Sequence, residues 1–580
     1  MITWEKNFTS NPPSFFRGID GITRVVAFLC GVLVVLYCAW TLDRGFDITD
    51  EAYYLLLAIY PESVKMYISA QQWITTGIWR VTGSLVAFRV AGLILLVGGA
   101  SLLAFGAMVA AFHNKQKWSY DAGGRMLVLA SSIICSLLYV ETINFSPSYN
   151  LLASSSTYAA AGMVLLALHA GKKWHRFGLL FLVGGALSVE FVSKPSSGVA
   201  TLCLLAVWIF FLNPSLQGKV IGFATVLFSL ILCVFILAVI NTTIPEVEAG
   251  IRNGFELFRM VQDEPVGVRL TRYVFEFSRN VTHAFKDHLL LIVTVALYLI
   301  IRKLVFVVVV AAIIGYSLAS AKYYLGYNGQ YETLYILQME FAFVLLALLL
   351  LVSMESWKND RPLRFVIGGL IALPYTVGVG TGNSIFTQII NCLAPWGVAV
   401  AIVANMHFAR KSDRLLVAAL SMAFILAFSL QIVAGIFRAP YHLVQSMVKQ
   451  DYKIDVGLLG SIKVDVETGN FMAALRLAAE NCQIVPGSPF LGMYNVPGVA
   501  FALNTIPVFT PWLNNISQAE AVLKLAPVDT VRFSSVAILL NADTSFPPVP
   551  DVLGFPANFR YCGSAIFPLL IQEVQIWKHL

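Results

Sequence analysis

The sequence predicts an α-helical polytopic membrane protein with a small α/β domain at its C-terminal end. Three observations lead there. Of the 580 residues, 58% are apolar and 12% charged, with a mean hydropathy of +0.76, which lies outside the range of soluble globular chains. Apolar runs follow one another from Val25 to Gly435, close to the roughly 20 residues a spanning helix needs. The residues beyond 436 read differently, with proline-rich turns, a helical run from Phe471 to Glu480 and a strand-like run from Ser534 to Leu540. The dyad alternation of a membrane β-barrel is absent.

The runs divide into about thirteen spans, at 25–41, 85–112, 125–141, 151–170, 177–192, 197–212, 219–242, 288–301, 304–320, 332–353, 364–378, 385–407 and 413–436. Charge orients them, because basic loops collect on the cytoplasmic side. Lys115 and Lys117, Lys172, Lys173 and Arg176, Lys219, Arg302 and Lys303, Lys358 and Arg361, and Arg410 and Lys411 all fall on alternate connections; the short loops 142–150 and 378–384 contain no Lys or Arg. The expected topology has a cytoplasmic N-terminus in a bacterial inner membrane. The division is a membrane domain 1–436 and a periplasmic α/β domain 437–580. The net charge of +7 follows these connections rather than one face, so no nucleic-acid partner is expected. Lys6, Arg17 and Arg24 precede the first run without a small-residue cleavage site, the pattern of a retained anchor.

Six of eight cysteines fall within expected spans, where a thiol is an apolar filler. Cys482 and Cys562 alone fall in the outer domain, where oxidising conditions favour their pairing. Two outer loops are long. The first, 42–84, ends in a stretch whose Trp73 and Trp79 suit a helix in the interface plane; the second, 243–287, sets Ile251, Phe255 and Phe258 at helical spacing beside Arg252 and Arg259.

The polar residues concentrate at the outer mouths. "GFDITDEAYY", Gly45 to Tyr54, places Asp47, Asp50 and Glu51 just after the first span. Acids at a helix start also serve as caps and dipole partners, and both readings stand. On the same side lie Lys65 and Arg80; Glu141, Asn144, Tyr149 and Asn150; Lys194; Lys322, Tyr323 and Tyr324; Gly380, Gly382 and Asn383; and Arg438, Tyr441 and His442. A lysine at membrane depth, as Lys194 is, either meets an anion or snorkels. The glycines of "GVGTGNS" either present backbone N–H groups to a phosphate or make a tight turn. Lys322, Arg438 and His442 also fit lipid headgroups.

One carboxylate among cations suits a defined chemistry. Glycoside hydrolysis needs an acid and a base, since the leaving alkoxide must be protonated. A sugar on a lipid phosphate needs only a base for the acceptor hydroxyl and cations for the growing phosphate charge.

An Asp-Glu pair in the first outer loop, followed by aromatics and an interfacial helix, on about thirteen spans with an outward C-terminal domain, resembles the GT-C glycosyltransferases. These use polyprenyl-phosphate-linked sugars and include protein O-mannosyltransferases, lipid A aminoarabinose transferases and mycobacterial arabinosyltransferases. The resemblance implies that Asp50 is the catalytic base, Glu51 its support, and Tyr53, Tyr54 and the other mouth residues the donor- and acceptor-binding set. A single base and a lipid phosphate leaving group imply direct, inverting displacement; the resemblance further suggests a pentose such as arabinose, and the acceptor is expected to be a glycan, glycolipid or exported protein. Aminoarabinose transferases have an arginine two residues after the glutamate, where Tyr53 stands here. No Asp-x-Asp occurs in these loops, so no obligatory metal or cofactor beyond the lipid-linked donor is expected. The competing classes are a transporter or lipid-linked-sugar flippase, which would show repeats and mid-membrane charge, a polysaccharide polymerase or ligase, and a scaffold presenting the outer domain.

Overall fold

The computed structural model describes residues 18–65, 69–112, 122–141, 144–261, 265–319, 331–380, 382–408, 413–437, 440–525, 534–540 and 549–580. Helices α1 (Ile19–Thr41), α2 (Asp50–Ile59), α3 (Gln72–Thr82), α4 (Leu85–Phe112), α5 (Ala122–Leu137), α6 (Tyr149–Leu168), α7 (Lys173–Ser193), α8 (Pro195–Leu212) and α9 (Leu216–Asn241) come first. Then follow α10 (Ile244–Val261), α11 (Val266–Asp287), α12 (Leu289–Ile301), α13 (Leu304–Ala319), α14 (Tyr331–Val352), α15 (Arg361–Gly378), α16 (Ala394–Phe408) and α17 (Arg414–Ala434).

Eight of the described helices are long and apolar enough to cross a membrane, or nine if α11 and α12, bent by 67° at their junction, count as one. The expected thirteen is therefore not reached on length and composition. The shortfall is local. Helices α13 and α16 and the described part of α14 are apolar but short, and α15 has two arginines, Arg361 and Arg364, in its first four residues. The span expected at 385–407 starts instead as a single turn, Ile385–Gln388, and a 3₁₀ turn, Ile389–Cys392. Pro395 explains the restart: with no N–H to donate, it fits the first turn of a helix and not its interior.

Small residues seam the bundle. A Cβ at Gly99 or Gly106 of α4 would come within 2.6 Å of Ser155 O or 2.2 Å of Gly162 O on α6. The two backbones can approach that closely only because glycine leaves the space.

The C-terminal domain holds a two-stranded antiparallel sheet, β1 (Tyr452–Asp455) and β2 (Ser461–Val464), and helix α18 (Val466–Asn481). A five-stranded sheet has the order β4-β3-β5-β7-β6, with β3 (Pro489–Met493), β4 (Ile506–Pro507), β5 (Ser535–Leu539), β6 (Phe559–Phe567) and β7 (Gln572–His579). Strand β5 runs parallel to β3 and antiparallel to β7. All five of its residues are buried: Ala537 and Leu539 join one apolar cluster while Val536 and Ile538 join another. A strand covered on both faces reads as an unbroken apolar run, which is how Ser534–Leu540 appears in the sequence. Cys482, after α18, is bonded to Cys562 on β6, across 80 residues of chain. Replacing both by serine is expected to cost about 2–5 kcal/mol of domain stability through the freed loop. Thermal denaturation under matched detergent checks this, and an unchanged midpoint would contradict it.

This domain clamps the loop that follows α1. Gly45 N donates to Lys463 O (2.8 Å), Lys463 N to Asp43 O (2.8 Å), and Gly498 N to Ile48 O (2.8 Å). Lys463 Nζ meets Asp43 Oδ2 at 2.5 Å, and Arg44 donates to Gln450 O at 2.7 Å. Further on, Lys65 N donates to Phe509 O and Phe509 N to Ser63 O. Helix α10 exposes Ile251 and Phe255, as an interfacial helix would, yet buries Leu257 in the domain's second apolar cluster.

Candidate active site

Helix α2 has ten residues, and its period decides what each acidic group does. Residues three, four and seven apart share a face. Asp50, Tyr53, Tyr54 and Leu57 therefore form one side, while Glu51, Leu55 and Ala58 form another. Leu55 and Ala58 lie in the core shared with the C-terminal domain; Tyr53, Tyr54 and Leu57 gather with Val64, Tyr149 and Trp512.

Asp47 builds the helix start. Its Oδ1 accepts from Thr49 N (2.8 Å) and Thr49 Oγ1 (2.6 Å), and its Oδ2 accepts from Asp50 N and Glu51 N (both 3.1 Å). These four bonds fill the lone pairs of a carboxylate and satisfy first-turn N–H groups.

Glu51 is locked inward. Its carboxylate takes a two-pronged grip from Arg89, Nε to Oε1 at 2.8 Å and Nη2 to Oε2 at 2.7 Å, and Ser146 Oγ donates to Oε1 at 2.5 Å. Arg89 also donates to the carbonyls of Leu42 (3.0 Å), Arg44 (3.1 Å) and Gly45 (2.8 Å). Arg89 is 0% and Glu51 1% exposed. Sequence reading missed Arg89, which stands five residues into an apolar helix. A lone charge there was the available signal. Asn144, expected to bind substrate, donates to Thr41 O and Arg44 O and so ties two loops together.

Asp50 is the exception. It is partly exposed, Tyr441 OH donates to its Oδ2 at 3.1 Å, and its Oδ1 accepts nothing among the described residues. Burial and the nearby Asp47 charge push its pKa up from 3.8 to about 6, against the opposing pull of His442 and the Tyr441 hydrogen bond. His442 lies 3.6 Å from Asp47 Oδ2 and 2.5 Å from Thr49 Oγ1. The single hydroxyl proton of Thr49 goes to the Asp47 carboxylate, so the Nδ1 of His442 must be the donor to Thr49. Burial disfavours its charge, but Asp47 and Asp50 together outweigh that and raise His442 above the ordinary histidine value. His442 also sits at φ 57°, a left-handed conformation that costs a non-glycine residue about 1–2 kcal/mol.

Asp47, Asp50 and His442 bring ligand atoms within 4.8 Å of one another, a group no linear motif announces. A divalent ion there would have to displace hydrogen bonds that start α2, because Asp47 has no lone pair to spare. Among the described residues the trio is joined by hydrogen bonds and charge.

The aromatic face connects Asp50 to a cation. Ring centroids are 5.4 Å apart for Tyr53 and Tyr54, 5.4 Å for Tyr53 and Trp512, and 5.6 Å for Tyr54 and Tyr149. Burial, with Tyr149 and Asp50 nearby, raises both Tyr53 and Tyr54, so these phenols stay neutral donors. Lys194 Nζ lies 5.6 Å from the Tyr149 ring and donates to Val377 O (2.6 Å) and Asn150 Oδ1 (3.2 Å). An ammonium has three donors, so one remains without an acceptor among the described residues. Trp512, contributed by the distant C-terminal domain, was not foreseen. Behind Glu51 a small cavity, lined by Asp47, Arg89, Asn144, Tyr441 and Met447 among others, has about 10 Å³, room for one water and not for a sugar.

Other expected residues stand apart. Lys65 is more than half exposed and 3.8 Å from Glu246, and Arg80, Gly382 and Asn383 are exposed. Gly380 is in the left-handed region at φ 91°, and a Cβ there would collide with Ser196 Oγ. Lys322, Tyr323, Tyr324, Arg438 and the side chain of Glu141 lie outside the described residues.

Compared with known proteins, no family model and no curated protein matches the chain. Among solved structures it is similar to ArnT from Cupriavidus metallidurans in the apo state, at 13% identity and a TM-score of 0.45, covering 95% of this chain and 97% of that one. The same protein bound to undecaprenyl phosphate gives 14% and 0.42 over the same shares. The archaeal oligosaccharyltransferase AglB from Archaeoglobus fulgidus, in complex with an inhibitory peptide and a dolichol-phosphate, gives 12% and 0.46, covering 90% of this chain and 69% of that one.

Proposed function

We propose that the chain is a membrane glycosyltransferase that moves a sugar from a polyprenyl-phosphate donor to an acceptor hydroxyl, with Asp50 as the base. The observation that supports this most is the state of Asp50. It alone of the three acids keeps an oxygen without a donor among the described residues, and its pKa near 6 suits a group that must be ionised yet basic near neutral pH.

The reaction follows from the groups present. Asp50 takes the acceptor proton as the acceptor oxygen bonds to the anomeric carbon. The bond from that carbon to the phosphate oxygen breaks, and its electron pair leaves with the lipid phosphate. A phosphate departs as a stable anion, so no acid is required, and Lys194 offers its remaining N–H to the growing charge. Direct displacement by one base inverts the anomeric centre. The phenols of Tyr53, Tyr54 and Tyr149 and the Trp512 indole give the sugar ring apolar faces and neutral donors. Glu51 and Arg89 hold the helix that carries the base. The sugar is read as a pentose such as arabinose, and the acceptor as a glycan, glycolipid or exported protein.

The test is release of free polyprenyl phosphate by the purified protein in lipid nanodiscs, given polyprenyl-phosphate sugars and a hydroxyl acceptor. Lys194→Met is expected to raise the donor KM about tenfold, the worth of one charge-assisted hydrogen bond. Unchanged donor KM in a folded variant would remove Lys194 from the donor site.

A further inference from the structure

The far end of the bundle contains a second arrangement of charge. Lys194 and Arg176 belong to one helical stretch and are separated by about 27 Å at 1.5 Å per residue, so a ligand held at Arg176 is distinct from a donor held at Lys194. At this end Lys172, Lys173 and Arg176 open α7, and Lys219 lies in the first turn of α9.

Two buried donors there have no acceptor among the described residues. Asn213, between α8 and α9, is 3% exposed. Its Oδ1 accepts from Ser215 N at 3.3 Å, but its Nδ2 is buried without a partner. The Nη2 of Arg176 is likewise buried and unpartnered. A buried donor left unpaired destabilises the fold, and two donors cannot satisfy each other.

The start of α9 holds the first of them, and the packing of α7 on α9 places the second. Asn213 Nδ2 lies 2.7 Å from where a Cβ on Gly218 would be, so the amide sits against the first turn. Ser215 Oγ accepts from Gly218 N and Ser215 O from Lys219 N, leaving the N–H groups of Leu216 and Gln217 without acceptors among the described residues. Helices α7 and α9 run side by side: Gly222 faces Leu180, and Ser229 Oγ donates to Phe181 O at 2.6 Å. One turn towards the helix starts, these contacts set Arg176 level with the first two turns of α9.

Backbone N–H groups at the positive end of a 26-residue helix, a buried amide donor, a guanidinium and flanking lysines make an oxyanion receptor. We propose that the start of α9 binds a phosphate group, gripped by Arg176 and Asn213, of the kind carried by a phospholipid headgroup or by free phosphate. The exposed Trp174, 68% accessible beside Lys173, suits a site at the membrane–water boundary.

The full-length protein in detergent tests this with two probes: inorganic phosphate, and micelles doped with phosphatidylglycerol or, as control, diacylglycerol. Retained lipid is read by native mass spectrometry and phosphate by the shift in melting midpoint. Wild type is expected to retain phosphatidylglycerol over diacylglycerol, and Arg176→Gln or Asn213→Ala to weaken that about tenfold, while Arg252→Gln on α10 changes nothing. Phosphate that also binds and competes identifies a free oxyanion as a ligand; phosphatidylglycerol alone identifies a headgroup site. Arg176→Lys keeps the charge without the fork and should retain less phosphatidylglycerol than wild type, which tests the proposal even if Arg176→Gln fails to fold. Equal retention of both lipids by wild type, or phosphate and phosphatidylglycerol binding equally to wild type and Asn213→Ala, overturns the proposal.

Discussion

Asp50→Asn is expected to lower transfer by about 10²–10⁴-fold, the contribution of a positioned general base, while making the protein more stable near neutral pH. The two effects share one cause. Asp50 is held beside Asp47 in a partly buried site, and its raised pKa means that the folded state binds a proton more tightly than the unfolded chain does. Folding is therefore favoured as pH falls through the window from about 6 to about 4, and the charged carboxylate costs stability above it. The His442 contribution has the same sign: with its pKa raised, it is fully present below the unfolded value of 6.5 and is lost as pH rises through the folded one. Asparagine removes the Asp50 part of this cost, up to about 3 kcal/mol and less where water reaches. It keeps an acceptor for Tyr441, so no fold-bearing bond is broken. Stability strained for the sake of activity is the expected mark of a functional carboxylate. Equal activity with Asp50→Asn would end the assignment. Lower stability would show that the residue serves the fold.

Arg89→Met is expected to cost about 3–5 kcal/mol, because it strands a buried carboxylate. It would leave Glu51, 1% exposed, with Ser146 as its remaining side-chain donor, and the carbonyls of Leu42, Arg44 and Gly45 would each lose a bond. The loop that delivers Asp50 would then be held chiefly by its contacts with the C-terminal domain. The double variant Glu51→Met with Arg89→Met should recover part of the loss, since paired apolar replacements remove the orphaned charge. A double variant as unstable as the sum of the singles would mean that the two residues act separately.

These two acids show what the sequence could and could not reveal. "DEAYY" exposes the pair, and the helix period of α2 separates them, Asp50 towards the aromatic face and Glu51 towards the core. What the period cannot tell is which face meets substrate, because that depends on Arg89 and on Tyr441 and His442, 391 residues beyond Asp50 in the case of Tyr441. Arg89 was hidden by its apolar neighbours, whose hydropathy outweighs one guanidinium in any window long enough to mark a span. Trp512 was hidden differently: it lies in a loop of the C-terminal domain, and only the clamp through Phe509, Ser63 and Lys65 brings it to Tyr53. The apolar runs were legible as helices, whereas their exact bounds were not: at 385–407 the helix begins only at Ala394, where Pro395 restarts it although composition stays apolar.

The central claim is that ionised Asp50 takes the acceptor proton, and the pH dependence of kcat/KM for polyprenyl phosphate release tests it most directly. The account predicts an acid limb with an apparent pKa of about 6, belonging to the free protein and absent from the residual rate of Asp50→Asn. A rate flat from about pH 5 to 8, or an acid limb that survives in Asp50→Asn, would contradict it.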